Sequence, residues 1–168
     1  MNRIDIRLAT LLTALLSAAI LGAALLSQFV GGLQPCVLCL YQRWPYVATI
    51  ALGLAGFALA RRHPGAARAA LGLAGLVFLV GAGIAGFHVG VEQGWWQGTA
   101  ECGAPAGGAM TLEALRAQVL AAPVVRCDEV PWSLFGISMA GYNLLISLAM
   151  AAAALLGASR RMIDGDEA

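Results

Sequence analysis

The chain has 168 residues, of which 60% are hydrophobic and 11% charged, with a mean hydropathy of +0.80. Soluble domains carry roughly 25% charged residues, so a water-soluble globule is excluded and an integral membrane protein is indicated. A net charge of +1 provides no electrostatic footprint for a nucleic-acid partner.

Four apolar stretches have the ~20-residue length that crosses a hydrocarbon core of about 30 Å. They are Leu8 to about Phe29, Leu40 to Ala60, Ala69 to about Val89 and Leu134 to about Gly157. The first follows Arg3 and Arg7, as a signal peptide would, but it exceeds the roughly 7–15 apolar residues of a signal core. It reads as a retained first helix. The predicted fold is all-α: one antiparallel four-helix transmembrane bundle over residues 1–168, with outer connections at about 30–39 and 90–133. All ten basic residues are arginines, and seven of them set the orientation: Arg3, Arg7, Arg61, Arg62, Arg68, Arg160 and Arg161. They flank the N-terminus, the connection between spans two and three, and the end of span four. By the positive-inside rule these segments are cytoplasmic and the connections after spans one and three face outward.

The first outer connection ends in Pro35 followed by Cys36. The second opens with Trp95 and Trp96 and closes with Trp132, residues suited to the membrane–water boundary. Within it, Thr111 is a candidate N-cap, and Leu112, Leu115 and Val119 recur at helical spacing. A short amphipathic helix over 111–120 is predicted, lying on the membrane surface or packed on the bundle. Span three is rich in glycine, and Gly86 and Gly90 form a small-xxx-small pair that lets helices approach closely.

The cysteines carry the chemistry. Cys36 and Cys39 form a C-x-x-C at the start of span two, and Cys102 and Cys127 lie in the long outer connection. Parity places all four on the outer side. In a bacterial cell that side is the oxidising periplasm, where disulfides persist, and two pairs on one side suit a dithiol relay. A helix N-terminus stabilises thiolate through its unpaired N–H groups. Residue 40 is Leu rather than His, which excludes a haem attachment motif. Zinc is a competing use of four thiols, but Cys102 and Cys127 are not a second compact knuckle. Purely structural disulfides are the stronger alternative, although a bonded C-x-x-C closes almost no loop and adds little by chain entropy.

Arg43 lies four residues after Cys39 and seven after Cys36, so a continuous helix would put all three on one face. A permanent charge one turn inside the membrane marks a functional site, or else snorkels to the head groups. Pro45 then either kinks span two or marks where its regular part begins. His88 and Glu92, four apart near the outer end of span three, form either a proton-handling pair or an interfacial hydrogen-bonded one. Gln28, Gln42 and Asn143 are explained by interhelical hydrogen bonding. The chain has neither G-x-G-x-x-G nor P-loop, so electrons leaving the dithiol need an acceptor that is not a bound nucleotide. A lipid-soluble quinone beside Arg43 is the economical candidate.

Pro35-Cys36-Val-Leu-Cys39-Leu-Tyr-Gln-Arg43 resembles the signature of the DsbB disulfide bond formation family, and Cys127-Asp-Glu129-Val-Pro-Trp132 resembles the end of its second outer loop. The resemblance implies a membrane thiol oxidase of the bacterial inner membrane. It would reoxidise a DsbA-like periplasmic thiol oxidase and pass the electrons to ubiquinone or menaquinone in the membrane pool. It implies that the partner attacks the Cys102–Cys127 disulfide at Cys102, that Cys127 engages Cys36, and that Cys39 reacts with the quinone next to Arg43. Four cysteines allow three connectivities, which the sequence leaves open; the expected resting state is Cys36–Cys39 with Cys102–Cys127. Other readings stay open: a relative serving one dedicated partner, a vitamin K epoxide reductase-like protein, or a non-catalytic scaffold with a stapled outer loop. The reductase-like proteins normally carry their C-x-x-C after the loop cysteines, the reverse of the order here.

Overall fold

The computed structural model describes residues 3–102, 112–113 and 125–164. Its elements are α1 (Arg3–Phe29), α2 (Val37–Tyr41), α3 (Arg43–Leu59), α4 (Pro64–Glu92), β1 (Ser133–Leu134), β2 (Ile137–Ser138) and α5 (Met139–Asp164). The fold is all-α apart from this one small hairpin among the described residues. The helix expected over 111–120 falls outside the described residues except at Leu112 and Glu113.

Three stretches are long and apolar enough to cross a membrane: Ile6–Phe29, Pro64–Glu92 and Met139–Ser159. The bundle is built inside out relative to a soluble protein. Large apolar side chains such as Leu8, Leu12, Leu15, Leu73 and Leu76 face outward, whereas the interior holds Ala14, Ala67, Ala74, Ala85 and Ala154 with Thr10, Ser17, Thr49 and Ser147. Lipid solvates leucine as well as a protein core does, so the helices associate through small residues and hydrogen bonds. Ser17 and Thr49 hydroxyls meet at 2.9 Å between α1 and α3. α4 packs most extensively along α5, and α3 against both α1 and α4.

Glycine sets these approaches, though not where the spacing in span three indicated. A Cβ on Gly53 would stand 2.8 Å from the Thr10 carbonyl oxygen and 2.9 Å from the Ala14 Cβ. Gly75 gives way to Leu155 of α5. Gly86 does face α5, at Leu144, but the space over Gly90 is filled by the Trp96 ring rather than by a helix.

Two boundaries have local causes. Span two is divided at Gln42, because Pro45 has no N–H to return to the carbonyl of Tyr41, and the long regular helix begins at Arg43. The last helix begins at Met139 rather than Leu134. Phe135 and Gly136 take φ values of 51° and 77°, both positive as a type I′ hairpin turn requires. That turn pairs Ser133 with Ser138 and Leu134 with Ile137. Ser138 then caps α5, its Oγ accepting from the Gly141 N–H at 3.0 Å.

Gly53→Ala is expected to destabilise the detergent-solubilised protein by about 1–3 kcal/mol through overpacking. Gly65→Ala, where a Cβ meets nothing within 4 Å, serves as the neutral control. Thermal unfolding of the two variants side by side reads the difference.

Candidate active site

Cys36 caps the short helix α2. Its backbone is extended (φ −72°, ψ 172°), and its Sγ accepts from the Cys39 N–H at 3.3 Å. This capping brings the two sulfurs to 3.0 Å. Cys102 and Cys127 form a disulfide, whereas Cys36 and Cys39, implied as a second bonded pair, are free thiols. Cys36 and Cys127 are both buried, in one cluster with Leu38 and Val91, and Cys39 and Cys102 pack against it. All four cysteines therefore gather at one end of the bundle. Gly98 permits the approach of Cys102, since a Cβ there would stand 2.8 Å from the Cys102 Cβ. A cleft of about 430 Å³ opens beside Cys102, lined by Trp95, Trp96 and Asp128 among others.

Cys39 also faces a second cavity, of about 270 Å³, walled by Ile20, Leu21, Pro35, Gln42, Arg43, Tyr46, Asn143 and Ile146. Cys36 does not line it. Arg43 is half-buried there, and its Nη1 donates to Gln28 Oε1 at 2.7 Å. Cys39 and Arg43 thus share one wall as the spacing predicted, while Cys36 turns toward the loop disulfide. The cavity is mostly apolar with a few convergent polar groups, the pattern of a small-molecule site. Those walls carry the Arg43 guanidinium, the amides of Gln34, Gln42 and Asn143, and the phenols of Tyr46 and Tyr142, groups that the oxygens of a flat apolar ring would meet.

His88 is the residue that sequence reasoning left without a role. It is buried, and its Nε2 lies 3.6 Å from Cys36 Sγ. Its Nδ1 lies 2.8 Å from Gln42 Nε2. Glu92 Oε1 is 3.9 Å from His88 Nε2, and Glu92 Oε2 accepts from the Ser138 hydroxyl at 2.5 Å. The i, i+4 spacing put His88 and Glu92 on one face, but only the fold shows that this face meets the C-x-x-C. Cys36, Cys39 and His88 also bring three ligand-type atoms within 4.8 Å of one another, the donor set a thiophilic cation would use.

The model of the family described as disulfide bond formation protein DsbB matches residues 6–157. The chain belongs to the DsbB family. It is 37% identical to disulfide bond formation protein B of Methylococcus capsulatus, over 87% of this chain and 90% of that one. It is 32% identical to disulfide bond formation protein B 2 of Pseudomonas syringae, over 80% and 77%. Disulfide bond formation protein B of Nitrosococcus oceani is 31% identical, over 87% of each chain. No solved structure matches the chain. As a DsbB-family protein it is a multi-pass membrane protein of disulfide bond formation, and its family implies a disulfide-generating oxidoreductase.

The Cys36 thiol is held well below the ordinary cysteine range, first by its hydrogen bond with the Cys39 side chain, then by His88 and the Cys39 N–H, against the opposing effect of burial. A lowered value keeps the thiolate present as pH falls. In the reduced Cys102→Ser, Cys127→Ser variant, ultraviolet thiolate absorbance should therefore report one thiolate at about pH 6, well under the ~8.5 of a free cysteine. His88→Ala should move that midpoint upward. Absence of thiolate at that pH would contradict the assignment.

Proposed function

We propose that the protein is a dithiol:quinone oxidoreductase that reoxidises a DsbA-like periplasmic thioredoxin-fold partner. Four spans carry it in the bacterial inner membrane, with both termini cytoplasmic and the cysteines periplasmic. The fourth span is α3, whose 17 residues sit at the lower end of what crosses a bilayer, extended outward by α2. The arginine distribution supports the orientation.

The relay runs as thiol–disulfide exchange, in which a thiolate attacks and the displaced sulfur leaves as thiolate. A partner thiolate attacks Cys102 Sγ, breaking the Cys102–Cys127 bond and releasing Cys127. The partner's second thiol then attacks the mixed disulfide and departs oxidised, leaving Cys102 reduced. Cys127 attacks Cys36 of a Cys36–Cys39 disulfide, and Cys39 leaves as thiolate at the cavity wall. Attack of Cys102 on Cys127 restores the loop disulfide and frees Cys36. The Cys36–Cys39 dithiol then holds the two electrons taken from the partner. A quinone, ubiquinone or menaquinone, held beside Cys39 and Arg43 would supply the two-electron acceptor.

The chain's own residues give each step its place. Cys39 presents its sulfur to the cavity, and the Arg43 guanidinium beside it favours negative charge there. Gln42 and Asn143 each keep one amide hydrogen for acceptor oxygens, while Ile20, Leu21 and Ile146 exclude water. His88 supports charge on Cys36 as that sulfur is displaced or attacks. The position of Cys36 carries this reading: it shares a buried cluster with Cys127 and stands 3.0 Å from Cys39, which faces the cavity.

Oxidation of a reduced thioredoxin-like partner by the purified protein in detergent, with and without added quinone, tests the proposal. Quinone-dependent turnover that disappears in Cys39→Ser is the expected result. Turnover independent of quinone would move the acceptor elsewhere, and no turnover with any partner would favour a disulfide-stapled scaffold.

A further inference from the structure

Behind the cysteines runs a buried line of polar side chains that crosses three helices. The Tyr46 hydroxyl on α3 donates to Asn143 Oδ1 on α5 and lies 3.1 Å from Ser147 Oγ. Asn143 Nδ2 donates to Gln42 Oε1. Gln42 Nε2 meets His88 Nδ1 of α4 at 2.8 Å, and His88 Nε2 faces Cys36 Sγ at 3.6 Å. Gln42, Tyr46, His88 and Ser147 are each at most 6% exposed, and Asn143 is half-buried at the wall of the cavity.

Each bond in the line orients the next. With its oxygen turned to Tyr46, the Asn143 amide presents its NH₂ to Gln42. With its oxygen so occupied, the Gln42 amide presents its own NH₂ to the imidazole. An amide nitrogen only donates, so Nδ1 accepts with its lone pair and the neutral ring carries its hydrogen on Nε2. On that side stand acceptors, the Cys36 sulfur and the Glu92 carboxylate at 3.9 Å.

We propose that Gln42 and Asn143 are positioning residues that hold His88 in its Nε2–H tautomer, so that the ring donates to the Cys36 sulfur when that sulfur carries negative charge. The inference rests on the thiol-relay reading given above and adds two residues to it. Cys36 is charged whenever it attacks, and a donor already aimed at it needs no reorientation at that moment. The same hydrogen occupies the nitrogen that a cation would need, so Cys36, Cys39 and His88 form a hydrogen-bonded group rather than a metal site. If Gln42 and Asn143 served only to clamp helices together, the tautomer of His88 would be indifferent to them.

The test is the imidazole nitrogen spectrum of isotopically labelled histidine in the full-length protein in detergent, without quinone or partner. His63 is the other of the chain's two histidines, and His63→Gln leaves His88 alone in the spectrum. The expected result is the Nε2–H tautomer. Gln42→Leu and Asn143→Leu should give mixed tautomers and lower turnover about tenfold, the size of one charge-assisted hydrogen bond. Gln42→Glu, whose carboxylate accepts from Nδ1–H, should shift the hydrogen to Nδ1. A wild-type spectrum showing Nδ1–H, or zinc bound through Nε2 by the reduced protein, would overturn the proposal even if the leucine variants fail to fold. An Nε2–H signal unchanged in both folded leucine variants would overturn it as well. Because the spectrum is taken on the free protein, its outcome is separate from that of the quinone-turnover assay on Cys39→Ser.

Discussion

Cys36 accepts the N–H of Cys39 at the start of a five-residue helix, and the rest of the site is arranged around that contact. The cap brings two sulfurs to 3.0 Å while giving them different surroundings. One sits in the buried cluster with Cys127, and the other looks into the cavity beside Arg43. Pro45 contributes from below, because the hydrogen bond it lacks separates α2 from α3 and makes the cysteine turn a unit of its own. In the proposed relay, a dithiol placed in this way would receive electrons on one side and release them on the other.

The bundle beneath is assembled to hold that turn in a low-dielectric setting. Small residues let α3 approach α1 and α4 approach α5. Polar groups left there must find one another, and they do so in connected sets: Ser17 with Thr49, and Tyr46, Asn143, Gln42 and His88 in series. Hydrogen bonds of this kind are stronger in low dielectric and more damaging when half made. The same network that joins α3, α4 and α5 also ends on the Cys36 sulfur, so the packing of the bundle and the surroundings of that sulfur are set together.

Much of this was legible in the sequence. Apolar runs located the long helices, and the four-residue spacing of Cys39 and Arg43 matches the wall they share, whereas Cys36, expected on the same face of a continuous helix, turns away because the helix is divided at Gln42. Hydropathy alone placed the start of the last helix too early, since Leu134, Phe135 and Ile137 are as apolar as a span while Phe135-Gly136 folds as a turn. The place of His88 beside Cys36 was hidden for a different reason. Its i, i+4 relation to Glu92 is local, whereas its contact with Cys36 joins residues 52 apart in the chain and depends on how α4 packs beside α2. Gly90 looked like a helix-packing residue and instead receives Trp96, because a glycine's spacing shows that space is needed but not what fills it.

In the proposed relay, Cys36 is the sulfur that links the loop disulfide to the cavity-facing cysteine. Disulfide mapping by mass spectrometry on the Cys39→Ser, Cys102→Ser variant tests it most directly, since only Cys36 and Cys127 then remain. An intramolecular Cys36–Cys127 bond is expected in the membrane-extracted protein. Two free thiols after mild oxidation, or a bond from Cys127 to a second molecule only, would contradict it.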